Sequence, residues 1–369
     1  MIEKKVLMGI LPRGTSGKIS YMMELFRHMD REKYHFTFLA ECPDSYYEKE
    51  ILASGGEIRV ITPRRKNPLQ HKKDLKHVMQ EGFDVCHIHF TTASNLDALK
   101  IAKKVGIPVV IAHSHSAGTE GSRLGAMLHY WNAPKIRKYT TVRLACSKLA
   151  GQFLFAGADF LVAKNSIDTA RFDFSEETRT RMRAELQVEG KFVVGHIGRI
   201  AEAKNPRFLI ETFAEIHQLR PDSVLVYAGQ GPLLEEMKQL AGQLGIADAV
   251  HFVGQVSNPQ EYLCAFDCFV LPSRFEGLGF VVIESVCSGL RCFASDVIPE
   301  EARVSDLVEL FSLSDDKKNL AQRILDRCGQ DLPRTGCTDL LTKLGYDIDS
   351  QRKQMEAIYN GLLKSSRED

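Results

Sequence analysis

Two glutamates eight positions apart, Glu276 and Glu284 in the run Phe275-Glu-Gly-Leu-Gly-Phe-Val-Val-Ile-Glu284, are the residues of this 369-residue chain best placed to do chemistry. The strand-like run Cys268–Leu271 stops at Pro272-Ser273, so Glu276 falls in a loop just after a strand. Gly277 and Gly279, with Leu278 between them, let that loop turn tightly and let a ligand approach the backbone. The apolar run that follows reads as a buried helix carrying Glu284. An acid at the C-terminal end of a strand and another on the next helix face the crevice where open α/β sheets bind ligands.

A second constellation is His196-Ile-Gly-Arg-Ile-Ala-Glu-Ala-Lys-Asn205. Gly198 permits a tight exit from a strand. Arg199 and Lys204 then precede a helix that Pro206 opens. Two cations beside a helix N-terminus suit a diphosphate; the alternative is two exposed loop charges. His113 and His115 follow another strand, where His113 either meets a ligand or is a satisfied structural histidine. His87 and His89 alternate along Val85–Phe90 and read as core or supporting groups. A His-x-His pair can bind metal, but neither pair comes with a clear third ligand.

Other motifs are incomplete. Gly14-Thr-Ser-Gly17-Lys18 looks like part of a P-loop, but Pro12 replaces its first glycine and Ile19 its final Ser/Thr. The dinucleotide fingerprint is missing too, which disfavours an NAD-linked dehydrogenase. The only Asp-x-Asp is Asp347-Ile348-Asp349, where Asp349 or Ser350 is expected to cap the last helix.

The elements that must position these groups alternate. Strands are predicted at Lys5–Ile10, His35–Ala40, Ile58–Ile61, Val85–Phe90, Val109–His113, Leu144–Cys146 and Phe160–Ala163. A second series follows at Phe192–His196, Val224–Tyr227, Val250–Val253, Cys268–Leu271, Cys292–Ser295 and Val308–Leu313. Helical patterns separate them, among them Ser20–Met29, Leu69–Gln80, Arg123–Lys138, Pro206–Leu219 and Phe280–Ser288. Alternation of this kind implies βαβ units and parallel, doubly wound sheets. The length suits two domains. The expected division is 1–165, 166–345 and a C-terminal segment 346–369 ending in the helix Ser350–Leu363.

Composition is that of a soluble globular protein, 44% hydrophobic and 26% charged. No apolar run is long enough to span a bilayer, and the N-terminus runs straight into a strand rather than a signal peptide. Nine scattered cysteines without a Cys-x-x-Cys pair suit reduced thiols in the cytoplasm. The net charge of +1 hides an asymmetry: residues 1–165 carry 25 Lys and Arg against 15 Asp and Glu, and residues 166–369 carry 23 against 32. The basic half could face an anionic membrane or an anionic acceptor, or the asymmetry could serve solubility and docking between the halves. The stretch Arg123–Arg143, with Leu124, Met127, Leu128, Trp131 and Ile136 among five basic residues, reads either as a helix for anionic lipid or as a packed helix with a basic face.

The Glu-x7-Glu spacing, in the setting Pro-Ser-x-x-Glu-Gly-x-Gly-x-x-x-Ile-Glu, resembles family 4 of the retaining glycosyltransferases. His196–Asn205 matches that family's Gly-Arg-x4-Lys-Asn element, and Asn165-Ser-Ile-Asp168 resembles its hinge element with Ser166 in place of glycine. The resemblance covers essentially the whole chain and is closest to enzymes of bacterial capsule and exopolysaccharide assembly. It implies the GT-B fold, two Rossmann-like domains facing across a cleft, with the last helix packing back on the first domain. It implies transfer of a sugar from a nucleotide diphosphate sugar, expected to be UDP-linked, to a sugar or lipid-linked saccharide acceptor with retention at the anomeric carbon. Arg199 and Lys204 would hold the diphosphate, Glu276 would orient the donor sugar, Glu284 would hold the ribose, and His113 would support the sugar. Backbone around Gly254, Gln255 and Val256 would read the nucleobase, and Gly14 and Gly17 would approach the donor phosphates, although the family's paired glycines and acid are replaced here. Ser295-Asp296 and Glu300 fit a further family segment. No cofactor, no metal and no nucleic acid are expected, and the site of action is the cytoplasm or the inner face of the cell membrane. A nucleotide-sugar epimerase of the same architecture and a non-catalytic nucleotide-sugar binder remain as alternatives.

Overall fold

The computed structural model describes residues 4–12, 16–118, 123–328 and 334–362. Its contacts divide the chain into two units, Met1–Ser166 with Tyr346–Asp369, and Ile167–Gly345.

In the first unit, seven parallel strands form one sheet: β1 Lys4–Leu11, β2 Tyr34–Ala40, β3 Glu57–Val60, β4 Val85–Phe90, β5 Val109–Ser114, β6 Val142–Ala145 and β7 Leu161–Val162. Their order is β3-β2-β1-β4-β5-β6-β7. All six residues of β4 are buried, which a parallel strand achieves only when both faces of its sheet are covered. His89 lies opposite His113 in the β4–β5 register, so His87, His89 and His113 share one face. The helix Ile348–Tyr359 completes this unit: Met355, Ile358 and Tyr359 lie in the same core as Phe26, Tyr34 and Phe36.

The second unit repeats the plan with β8 Phe192–Ile197, β9 Ser223–Ala228, β10 Val250–Gly254, β11 Cys268–Leu271, β12 Cys292–Ser295 and β13 Val308–Phe311. The order β10-β9-β8-β11-β12-β13 reverses between β8 and β11. Loops leaving those two strands diverge, and a crevice at their C-terminal ends is the geometric result.

Three of the predicted elements differ clearly in the structure. The segment Arg123–Lys138 is not one helix: an α-helix ends at Asn132 and a 3-10 turn covers Ala133–Lys138, because Pro134 has no N–H to continue the α pattern. The last helix begins at Ile348, and its cap is Asp347, whose Oδ1 accepts the Ser350 N–H at 3.0 Å. Asp349 is instead paired with Arg352 at 3.3 Å. The seventh strand shortens to two residues.

Candidate functional site

In the second unit, the loops after β8, β9 and β10 are laced together by backbone bonds. The Gly198 N–H donates to the Ala228 carbonyl (2.9 Å), Ile200 N–H to Gln230 (3.0 Å) and Gly229 N–H to Gly254 (2.7 Å). Two positions in this lacing tolerate only glycine. A Cβ on Gly229, whose φ is +157°, would lie 1.9 Å from the Gly198 oxygen, and one on Gly231 would lie 2.1 Å from the Ile200 oxygen. Arg199 projects from this lattice into solvent, and its guanidinium pairs with no described residue. Gly254 takes a left-handed turn at φ +78°, with Gln255 exposed and Val256 half-buried beyond it.

Lys204 closes the 3-10 turn Glu202–Lys204. Asn205, at φ +49°, then reverses the chain, and Pro206 starts the helix Pro206–Leu219. The turn is tied to the loop after β11, since the Arg274 N–H donates to the Ala203 carbonyl at 2.8 Å. That tie brings the Lys204 ammonium to 2.5 Å from Glu276 Oε1. The same oxygen accepts the Ser273 hydroxyl at 2.5 Å, and the Ser273 carbonyl accepts the Ser295 hydroxyl at 2.6 Å. Glu276 is therefore a nearly buried carboxylate held from two sides. Gly277 and Leu278 are buried, and Gly279, at φ +78°, leads into the helix Phe280–Cys287. That helix carries Glu284, also nearly buried.

Beneath the Gly198 turn lies His196. It is fully buried; its Nδ1 is bonded to the Val270 carbonyl at 2.7 Å, and its Nε2 has no partner among the described residues. Burial pushes its pKa down to about 4, and the nearby Lys204 charge adds to this against the Val270 bond. The ring is thus neutral at physiological pH and supports the turn without adding charge. A Cβ on Gly198 would meet His196 Nε2 at 2.9 Å.

The first unit holds a separate histidine cluster. His87 Nε2 and His113 Nδ1 are 3.1 Å apart, His89 Nδ1 and His115 Nε2 2.9 Å, and His87 Nδ1 is bonded to the Tyr359 hydroxyl at 2.9 Å. Burial drives His87 down to about 3 and the other three well below the usual imidazole range. Ligand atoms of His87, His89 and His113 lie within 4.8 Å of one another, which is the one group among the described residues with the spacing to receive a metal ion. His113 is completely buried here, with its Nε2 unpartnered, and the structure does not bring it to an accessible surface. Gly17 is the exposed first residue of the helix Gly17–His28, and Gly14 lies outside the described residues.

The structure thus brings Lys204 and Glu276 together and leaves Arg199 free on the same loop. Three supporting groups lie in the quoted motifs with no role assigned from the sequence: Ser273, Ser295 and His196. The first sits three residues before Glu276, a spacing that could have marked it. The roles of the other two have no local signal, because their partners are carbonyls on a neighbouring strand or its loop.

Residues 178–326 match the family model described as glycosyl transferases group 1. The chain is 29% identical over 97% of its length, and 97% of the relative's, to the putative glycosyltransferase EpsF of Bacillus subtilis. It is 24% identical, over 78% of this chain and 79% of the relative, to the UDP-Gal:alpha-D-GlcNAc-diphosphoundecaprenol alpha-1,3-galactosyltransferase of Escherichia coli. The crystal structure of Anabaena Alr3699/HepE in complex with UDP-glucose superposes with a TM-score of 0.80 at 18% identity, covering 98% of this chain and 99% of that one. The fold is GT-B, two Rossmann-like units each built on a parallel sheet.

Proposed function

We propose that this chain, a glycosyltransferase whose residues 178–326 form a group 1 domain on the GT-B fold, moves a sugar from a UDP-sugar to a saccharide hydroxyl with retention of anomeric configuration. The observation that carries the reading is the 2.5 Å contact between Lys204 and Glu276, with an unpaired Arg199 on the same loop. A donor's diphosphate meets two cations next to the start of the helix Pro206–Leu219. As Lys204 turns to the phosphates, Glu276 keeps its Ser273 bond and is free to accept hydroxyls of the donor sugar. Glu284 accepts the ribose hydroxyls. Charge growing on the departing diphosphate is stabilised where it develops, by side chains already in place. The leaving phosphate takes the acceptor proton as the acceptor attacks from the same face. On this reading no divalent ion is required.

The Escherichia coli relative is named for an acceptor linked to diphosphoundecaprenol. This supports a lipid-linked saccharide acceptor and a place in bacterial exopolysaccharide or capsule assembly.

The test is a metal-free screen of the purified chain against UDP- and GDP-sugars. Stabilisation by one donor, with nucleotide release that rises when a lipid-linked saccharide is added, supports transfer. NMR of the product gives the anomeric configuration, and inversion would overturn the retaining assignment. Consumption of the donor alone without nucleotide release points to an epimerase. Binding without any turnover points to a non-catalytic binder.

A further inference from the structure

The helix Arg123–Asn132 is folded with its polar side inward. His129 is buried and stacked on Phe153 with ring centres 4.1 Å apart, and its Nδ1 accepts the Ala93 N–H at 3.0 Å. Asn132 donates its side-chain amide to the Ala93 carbonyl at 3.0 Å. Outward, Leu124, Met127, Tyr130 and Trp131 are 60%, 61%, 68% and 70% exposed. Their spacing puts Leu124, Met127 and Trp131 in one row and Tyr130 beside it. A helix anchored by a histidine and an asparagine while presenting four large apolar side chains to water is not packed for solubility alone.

The charge around this ridge has one sign. Between Arg123 and Arg143 there are five basic residues and no acidic one. Lys135 holds its ammonium 3.9 Å over the Trp131 ring. None of Arg123, Lys135, Arg137 and Lys138 is ion-paired to a described residue. In the basic cluster Arg64–Lys66 with Lys72 and Lys73, Arg64 and Lys72 are spent on Asp97, at 3.2 and 3.5 Å, and Arg65, Lys66 and Lys73 are exposed without an ion pair to a described residue and without a row of large apolar side chains beside them.

We propose that this helix and the turn after it form a docking surface for an anionic lipid bilayer. This goes beyond the catalytic reading and does not rest on it. Aromatic rings with an apolar body and a polar edge sit well at the boundary of headgroups and acyl chains. Lysine and arginine stems cover apolar surface while their charges reach lipid phosphates. The segment lies on the bilayer rather than through it, and among the described residues no helix is long and apolar enough to cross a membrane. A second copy of the chain is a poorer occupant. A two-fold interface would set this basic patch against itself and bring like charges together.

Trp131 is the only tryptophan of the chain, so intrinsic tryptophan fluorescence reports on this patch alone. The full chain is mixed with vesicles of phosphatidylcholine, with and without phosphatidylglycerol, and bound protein is separated by flotation. The expected result is a blue shift and flotation with the anionic vesicles only, weakened by salt. Leu124→Ser with Met127→Ser, and separately Arg137→Glu with Lys138→Glu, should each lower partitioning by about tenfold or more. All four positions are exposed, so folding is preserved. No shift with anionic vesicles would overturn the proposal, as would wild-type partitioning in both double variants. A blue shift that grows with protein concentration in the absence of lipid would replace the bilayer with a second copy of the chain.

Discussion

Lys204 and Glu276 lie 72 residues apart in sequence and 2.5 Å apart in the fold. Without donor, the cation that suits a diphosphate and the carboxylate that suits a sugar neutralise each other. On the proposed reading, a bound donor separates the pair and draws each group toward its own part of the donor.

Glu276→Gln keeps the size of the side chain and its Ser273 contact but removes the charge. Transfer should fall by about a hundredfold or more while the protein stays folded. Lys204→Ala should abolish both transfer and donor-induced stabilisation. Steady-state turnover of the purified variants decides; wild-type rates in either would sink the assigned roles.

Gly229→Ala tests the loop lattice. Its Cβ would overlap the Gly198 carbonyl, in a backbone conformation alanine rarely adopts. We expect a loss of about 2 kcal/mol or more in the second unit, together with the loss of UDP-induced stabilisation in a thermal melt. Gly242→Ala is the control. It lies in the helix Leu234–Gln243 with open space around its Cβ, and should be neutral or stabilising by up to about 1 kcal/mol.

Much of the architecture could be read from the sequence because it is written in apolar runs. The thirteen strands β1 to β13 fall within two residues of the predicted runs at either end, since buried parallel strands must be apolar throughout. The helix Glu176–Glu185 was invisible for the opposite reason. It buries only Met182 and is held by Arg179 and Arg183, which reach Asp267 and the carbonyls of Ala265 and Phe266. Polar anchoring leaves no 3.6-residue apolar signal. At the site, the glycine and charge pattern marked Arg199, Lys204 and Glu276. It could not show that Lys204 and Glu276 pair directly, because that contact depends on the Arg274–Ala203 backbone bond between two loops.

The buried histidines set a pH dependence. An unfolded histidine takes its proton near pH 6.5, whereas burial holds His196 down to about 4 and His87 to about 3. Between those values the unfolded chain binds more protons, so stability must fall with falling pH. The contribution is complete above 6.5 and is lost toward 4 and 3, by up to about 1.4 kcal/mol per pH unit for each histidine. Burial holds the cluster of four and His129 low in the first unit, against His196 and the half-buried His251 in the second, so calorimetry should show a transition of the first unit that drops more steeply on acidification. Melting temperatures that stay flat from pH 7 to 4 would contradict the buried neutral state.

Tyr359 ties the helix Ile348–Tyr359 to β4 through the 2.9 Å bond between its hydroxyl and His87 Nδ1. Tyr359→Phe leaves a buried ring nitrogen without its partner and should cost about 1–3 kcal/mol. Tyr359→Ala also opens a cavity in the first core and should cost about 3–5 kcal/mol. Both losses should appear in the melting of the first unit, with UDP affinity of the second unchanged. Equal destabilisation by the two variants would mean that the ring packs without contributing volume to the core.

Chelation separates the proposed leaving-group chemistry from metal-assisted transfer. The charge that develops on a departing diphosphate must be met, and Arg199 and Lys204 are the cations available to meet it. The only Asp-x-Asp is committed elsewhere, Asp347 to capping a helix and Asp349 to Arg352. Full turnover in EDTA is therefore the expected outcome, and a loss restored by magnesium or manganese would refute it. The histidine cluster makes a second readout necessary. If EDTA lowers the melting temperature of the first unit while turnover persists, a metal belongs to His87, His89 and His113 as a structural ligand set and not to the transfer step.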